Sequence, residues 1–258
     1  MPSFRENPDP MKENLTLIPS VKPEDGSVTV GILQPGYLPW LGFFEQLYRS
    51  DKFVIYDDVQ FDKGGWRNRN RIKTAAGLQW LTVPVLINRK NKPLINQVLI
   101  NSTVNWQDKH IRSITQNYSK TPFFKNYSDE LFELLTSYHS YLIELDMALI
   151  EWLCAVLNIE TELVLSSDLN VKGDKIERLI GIINKLGGNQ FYEGAAGKNY
   201  IDLGAFNQES IILKFQDYNH PVYRQQYGEF RSHLSIIDLL FNCGPESLAI
   251  LTDQNVRN

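Results

Sequence analysis

The chain has 258 residues, 43% of them hydrophobic and 22% charged, which is enough apolar material to bury an ordinary core. Its formal net charge is −4 and its pI ≈ 5.6, whereas a duplex nucleic-acid binder would need a basic stripe. No run of about 18 apolar residues occurs, and MPSFRENPDPMKENL has no apolar segment, so neither a membrane span nor a secretory signal is expected and the cytoplasm is the expected compartment.

Residues 1 to 27, rich in proline and charge, read as a flexible N-terminal segment. SVTVGIL (27–33) is a β-branched run and predicts a strand. PWLGFFEQLYRS (39–50) has apolar residues at helical spacing, with Pro39 suited to a first turn. KFVIY (52–56) is the next strand, so 28–57 forms a β-α-β unit with parallel strands. Residues 78–101 suggest two strands around a polar turn at 88–92. From Trp106 to Asn158 the spacing is helical, with a fresh helix from Pro122 and a break near Ser137.

The β-α alternation then returns. TELVLSS (161–167), NQFYEG (189–194) and SIILKFQ (210–216) read as strands, DKIERLIGIINKLGG (174–188) and NYIDLGAF (199–206) as helices, and LSIIDLLFNCG as a last helix closed by Gly244. The expected fold is α/β: a mostly parallel, Rossmann-like sheet with an inserted helical block at about 106–158, the whole of 28–258 forming one domain. Cys154 and Cys243 lack zinc or redox spacing and read as core thiols; no metal site is expected.

In open parallel sheets the ligand lies beyond the carboxyl ends of the strands. Those ends carry Gln34 and Tyr37, Asp57 and Asp58, Ser166 to Asp168, Glu193, and Gln216 with Asp217. The expectation is one cavity rimmed by Gln34, Asp57, Glu193 and Gln216. Strand alternation sends only one of Asp57 and Asp58 into it, where a carboxylate can act as general base, hold a divalent ion or pair with an arginine.

Between 61 and 75, Lys63, Arg67, Arg69, Arg71 and Lys73 face a single carboxylate, Asp62, a cationic island in an anionic chain that points to a small anionic ligand. WRNRNR (66–71) combines an indole for stacking, guanidiniums for phosphate and amides for hydroxyls. In an extended segment Arg67, Arg69 and Arg71 share one face and Asn68 and Asn70 the other. Further on, His220, held extended by Pro221 and near Tyr223, is the best acid-base candidate among the histidines. His110, His139 and His233 read as packed or solvated, and Ser235 and Asp238 as helix caps. Neither GxxxxGK[ST] nor a GxGxxG after a strand occurs, although GAAGKNY (194–200) offers backbone amides to an anion.

QPGYLPWLGFF (34–44), DKFVIYDDVQF (51–61), WRNRNRIK (66–73), WLTVPV (80–85) and the later YEG, HPVY and SIIDLLFNCG, taken in order, resemble the WbqC-like family of bacterial surface-polysaccharide gene clusters. In that family the first motif commonly opens His-Gln-Pro. Leu33 stands at the histidine place here, so no role of that histidine carries over, whereas Gln34, Tyr37, Pro39, Trp40, Gly42, Asp57, Asp58, Asn68, Arg69, Asn70 and Arg71 match. The resemblance implies a part in O-antigen or capsule precursor synthesis, as an acyl or aminoacyl transferase acting on an amino sugar. A second likeness, to nucleotidyltransferases with a His-x-Gly-His turn, has Trp40-Leu41-Gly42-Phe43 in that place, and adenylyl transfer by those imidazoles would be lost.

The leading expectation is therefore a transferase acting on a nucleotide-activated sugar or sugar phosphate. Its expected catalytic residues are Asp57, Asp58 or His220, and its substrate is met by Gln34, Tyr37, Trp40, Trp66, Asn68, Arg69, Asn70, Arg71, Glu193, Gln216 and Tyr223. The competing expectation is a non-catalytic module for a sugar nucleotide or a protein partner. Sequence alone identifies neither cofactor nor acyl donor, and a charged tRNA stays open as donor.

Overall fold

The computed structural model describes residues 26–87, 92–199 and 201–252. The expected N-terminal segment, apart from its last two residues, and the turn at 88–92, apart from Lys92, lie outside them. In chain order the elements are β1 (Thr29–Leu33), α1 (Leu41–Tyr48), β2 (Lys52–Ile55), β3 (Arg69–Thr74), β4 (Gly77–Thr82), β5 (Val85–Leu86) and β6 (Leu99–Ile100), then α2 (Trp106–Tyr118), α3 (Phe124–Thr136) and α4 (Leu142–Val156). They continue with β7 (Glu162–Leu165), α5 (Ser166–Leu169), α6 (Lys175–Lys185), β8 (Gln190–Glu193), α7 (Leu203–Gln208), β9 (Ile212–Phe215), α8 (Ile236–Cys243) and α9 (Ser247–Thr252).

Five strands form one parallel sheet in the order β7-β2-β1-β8-β9. Strand alternation divides the core. Val30, Ile32 and Val54 pack with α6 and Phe206 of α7, whereas Phe53 and Ile55 pack with α1, the three-helix block α2–α4 and α8. Helices that follow β1 and β2 thus cover one face and those that follow β7 and β8 the other. The chain changes direction between β1 and β8, and at such a crossover the loops above adjacent strands diverge and leave a crevice. The α/β expectation and the helical block between β6 and β7 are both found, with α3 ending at Thr136 and Ser137 as its C-cap.

The antiparallel parts follow expectation in part, for β5 and β6 pair on either side of residues 88–92, and β4 departs from it. β4 pairs with β3 rather than across residues 88–92, in a hairpin that matches Arg71 with Trp80 and turns at Thr74–Gly77, where Gly77 has φ 117°. TAAG is a weak turn signal because only its glycine announces a special backbone conformation. The short strands β5 and β6 pair with each other.

Candidate functional site

Above the carboxyl end of β1, a cavity of about 300 Å³ is enclosed by three separate stretches of chain. Leu33, Gln34, Gly36, Pro39, Trp40 and Phe43 come from β1, its loop and the start of α1, Trp66 and Arg67 from the lead into the hairpin and Asn70 from β3, and His233 from the C-terminal loop. Backbone bonds knit these together: Tyr37 N–H donates to Arg67 O at 2.9 Å, Ser235 N–H to Arg71 O at 2.9 Å and Ile236 N–H to Pro39 O at 2.9 Å. Two glycines permit the closeness. A Cβ on Gly36 would stand 2.9 Å from the Trp66 carbonyl, and one on Gly42 would stand 2.3 Å from the Trp40 indole, which lies back over it.

The arginines and asparagines of WRNRNR do not divide simply into two faces. Asn70 Nδ2 donates to Leu38 O at 2.7 Å and Asn68 Nδ2 to Val83 O at 2.7 Å, so both buried amides hold backbone. Arg67 precedes the strand and turns inward, where Nη1 donates to Gln34 O at 2.9 Å and Pro35 O at 2.8 Å. Arg69 and Arg71 stay on the outer face of the hairpin. The Arg69 guanidinium lies 4.3 Å above the Trp80 ring, and that of Arg71 5.1 Å from Trp66 and 5.5 Å from Trp80. Both indoles are exposed, giving an aromatic and cationic strip that adjoins the cavity through Trp66.

His233 adopts φ 58°, stacks on Trp40 with ring centroids 5.2 Å apart and 18° between planes, and has Nδ1 2.8 Å from Ser232 Oγ. His220 lies behind it at 5.4 Å, among Tyr218, Tyr223 and Phe230. Its Nδ1 is 2.9 Å from the Pro221 carbonyl, a pure acceptor, so Nδ1 carries the proton and Nε2 the lone pair. Nε2 is enclosed without a partner among the described residues, and burial lowers the ring's pKa, with the Pro221 bond opposing and His233 adding to the effect. The loop bearing both histidines is anchored by Lys73, which donates to Glu229 O at 2.6 Å and Gln225 Oε1 at 3.1 Å. Buried Asp238 anchors it too, accepting from Tyr118 at 2.7 Å, Tyr223 at 2.9 Å and Gln225 at 2.8 Å.

The expected rim does not close around one cavity. Of Gln34, Asp57, Glu193 and Gln216, only Gln34 lines it. Asp57, 1% exposed, is turned toward β7 and accepts from Ser166 Oγ (2.9 Å), the Ser167 N–H (3.0 Å), Ser167 Oγ (2.7 Å) and Asn96 Nδ2 (3.1 Å), which occupies its lone pairs. Asp58 points instead to Arg178 and to Ser166 Oγ at 2.6 Å. Gln216 donates to Gly42 O at 2.8 Å and Glu45 Oε2 at 2.6 Å, and Glu193 is buried at the end of β8. Tyr37 is fully buried with its hydroxyl 2.9 Å from His110 Nδ1, and Tyr223 is held by Asp238. Asn68 and Arg69 line a second hollow of about 280 Å³ below the hairpin. The cavity instead takes in Arg67, His233 and Phe43. The preceding WRN context hides the inward turn of Arg67, and nothing in RSHLS announces a left-handed backbone at His233.

Buried His110 supplies a test of this packing. Burial pushes its pKa down to about 4 from the ordinary 6.5, so the folded protein favours the neutral ring. Its stabilising contribution is complete above about pH 6.5 and is lost as pH falls toward 4, about 3 kcal/mol over that window. Urea unfolding at several pH values should show this acid loss in the wild type and a loss smaller by about that amount in His110→Gln; parallel curves for the two proteins would reject it.

The motifs met in the sequence now have places: QPGYLPWLG forms one wall of the cavity and WRNRNR another. A protein of Mycobacterium tuberculosis, "Uncharacterized protein Rv1507c", is 38% identical over 220 residues, covering 84% of this chain and 95% of its own. No solved structure matches the chain. The WbqC-like protein family model matches residues 34–250, which takes in both walls, the helical block, the sheet from β2 onward and the His233 loop, and the chain belongs to that family.

Proposed function

We propose that this protein is a cytoplasmic transferase of surface-polysaccharide precursor synthesis, one that moves a small acyl or aminoacyl group onto an amino group of a nucleotide-activated sugar. The observation that carries the reading is the cavity at the crossover between β1 and β8, continued outward by the Trp66, Trp80, Arg69 and Arg71 strip. About 300 Å³ is at the lower end for small-molecule sites, too small to enclose a whole nucleotide sugar. The small group therefore occupies the cavity, and the nucleotide lies along the strip, base against indole and diphosphate against guanidinium.

In this reading the sugar amine attacks the acyl carbonyl carbon. As the new C–N bond forms, His233 takes the amine proton, and it returns that proton to the group leaving the acyl carbon. The side-chain amide of Gln34, which donates to no other described residue, is placed to hydrogen-bond the oxygen that gains charge. Asp57 serves the site by fixing the loop after β2, and His220 by supporting Trp40 and His233 from behind.

The test is nucleotide-sugar binding by thermal shift and calorimetry, with Arg69→Ala and Arg71→Ala. Each is expected to weaken binding of a UDP-sugar about 10–100-fold, the loss of a charge-assisted contact, without unfolding the protein. Unchanged affinity in both variants rejects the diphosphate placement.

A further inference from the structure

Arg67 is an unusual cation for the wall of a cavity. Among the described residues only Nη1 is used, on the two carbonyls of Gln34 and Pro35; Nε and Nη2 donate to none of them. No carboxylate among the described residues comes within ion-pair distance of it. The buried carboxyl that acts on it electrostatically is Asp146 on α4, fully enclosed and with neither oxygen partnered among the described residues. Burial raises the Asp146 carboxyl well above the ordinary carboxylate range, and Asp146 and Asp62 act on the guanidinium only from beyond ion-pair distance, so neither closes a salt bridge with it. A cation taken out of water is costly unless it is paired, so a wall that carries one calls for an anion from the ligand.

The other groups narrow the anion. Leu33, Pro39, Trp40, Phe43 and Trp66 make the walls largely apolar, and beside Arg67 the polar groups without a partner among the described residues are the Gln34 amide and His233 Nε2. A phosphate has three terminal oxygens, each asking for donors, and this inventory is short for it. A carboxylate has two, and it matches the remaining fork of the one guanidinium, Nε and Nη2, which leaves the Gln34 amide for the acyl oxygen. We infer that the cavity holds a compact, flat or apolar group bearing a free carboxylate that does not react, with Arg67 as its anchor. In the proposed transfer, on whose placement of the small group this rests, that group is an acyl unit with a second acid function, such as the half of a dicarboxylic acid. Fixed by its far end, the acyl carbonyl would be oriented toward His233 and the incoming amine.

Calorimetry of the wild-type protein with benzoate and its uncharged counterpart benzamide tests the anchor without any mutation. Benzoate is expected to bind about tenfold or more tightly than benzamide, and Arg67→Gln to abolish the difference, with Arg67→Lys falling between because it keeps charge and loses the fork. Circular dichroism checks that the variants remain folded, since Arg67 also supports the Gln34–Pro35 turn. Equal binding of the two compounds overturns the inference, as does inorganic phosphate competing as well as benzoate. So does a failure to bind benzoate while a UDP-sugar still binds. Conversely, a preserved benzoate preference with no UDP-sugar binding supports the carboxylate anchor and removes the nucleotide-sugar reading alone.

Discussion

Replacing His233 with asparagine is expected to lower the turnover number of group transfer about 10²–10⁴-fold while changing KM little. The residue is chosen because of its backbone: at φ 58° a non-glycine side chain is strained, and asparagine is among the few that tolerate this region. The substitution therefore removes the imidazole while the loop keeps its course to Ser235 and the bridge to Trp40. Stacking on Trp40 is partly lost as well, which is why the split between turnover and KM matters. A rise in KM with turnover preserved would make His233 a binding residue, and wild-type rates would reject it as the base. His220→Gln should act more weakly, because its Nε2 is shut behind Trp40 and His233 and does not meet the cavity.

Asp57→Ala should destabilise the fold by about 3–5 kcal/mol, read as a lower urea midpoint at unchanged slope. The mutation strands the Ser167 N–H and hydroxyl and the Asn96 amide, all half-buried around a carboxylate that is itself 1% exposed, while Ser166 Oγ keeps Asp58. Asp58→Ala should cost about 1–2 kcal/mol, since the Asp58–Arg178 pair remains partly in solvent. If Asp57→Ala instead leaves stability intact and abolishes turnover, the carboxylate reading suggested by its place after an apolar strand is restored and His233 loses its role.

The two neighbouring aspartates show where sequence reasoning reaches and where it stops. Alternation would have turned them apart had the strand continued, but β2 ends at Ile55: the two aspartates share Ser166 Oγ, with Asn96 and Ser167 added for Asp57 and Arg178 for Asp58. Which of them would meet a ligand depends on Ser166, Ser167 and Arg178, more than a hundred residues away. A similar limit applies to WRNRNR. Its composition foretold a cationic and aromatic surface, and Arg69, Arg71, Trp66 and Trp80 form one. The inward turn of Arg67 comes from the close approach of Gly36 and from two carbonyls in the preceding loop, partners that no local pattern names.

By itself the sequence determined the class and the strands and helices of the parallel sheet and helical block, but not the β3–β4 hairpin. Apolar runs of period two and stretches of helical spacing are written along the chain, and alternating strands with helices dictates a parallel sheet because each crossover needs an intervening segment. The polar residues at the strand ends were legible for the same reason, since loops follow strands in sequence. Only the tertiary structure decided which of those residues share a cavity. The sheet order β7-β2-β1-β8-β9 puts β1 at the crossover, so its Gln34 opens into the crevice, while Asp57 and Gln216 are drawn off to Ser167 and Glu45. His233 joins them through long-range backbone bonds at Ser235 and Ile236, and because such contacts depend on where distant segments dock, not on the residues beside them, no reading along the chain could have placed it there.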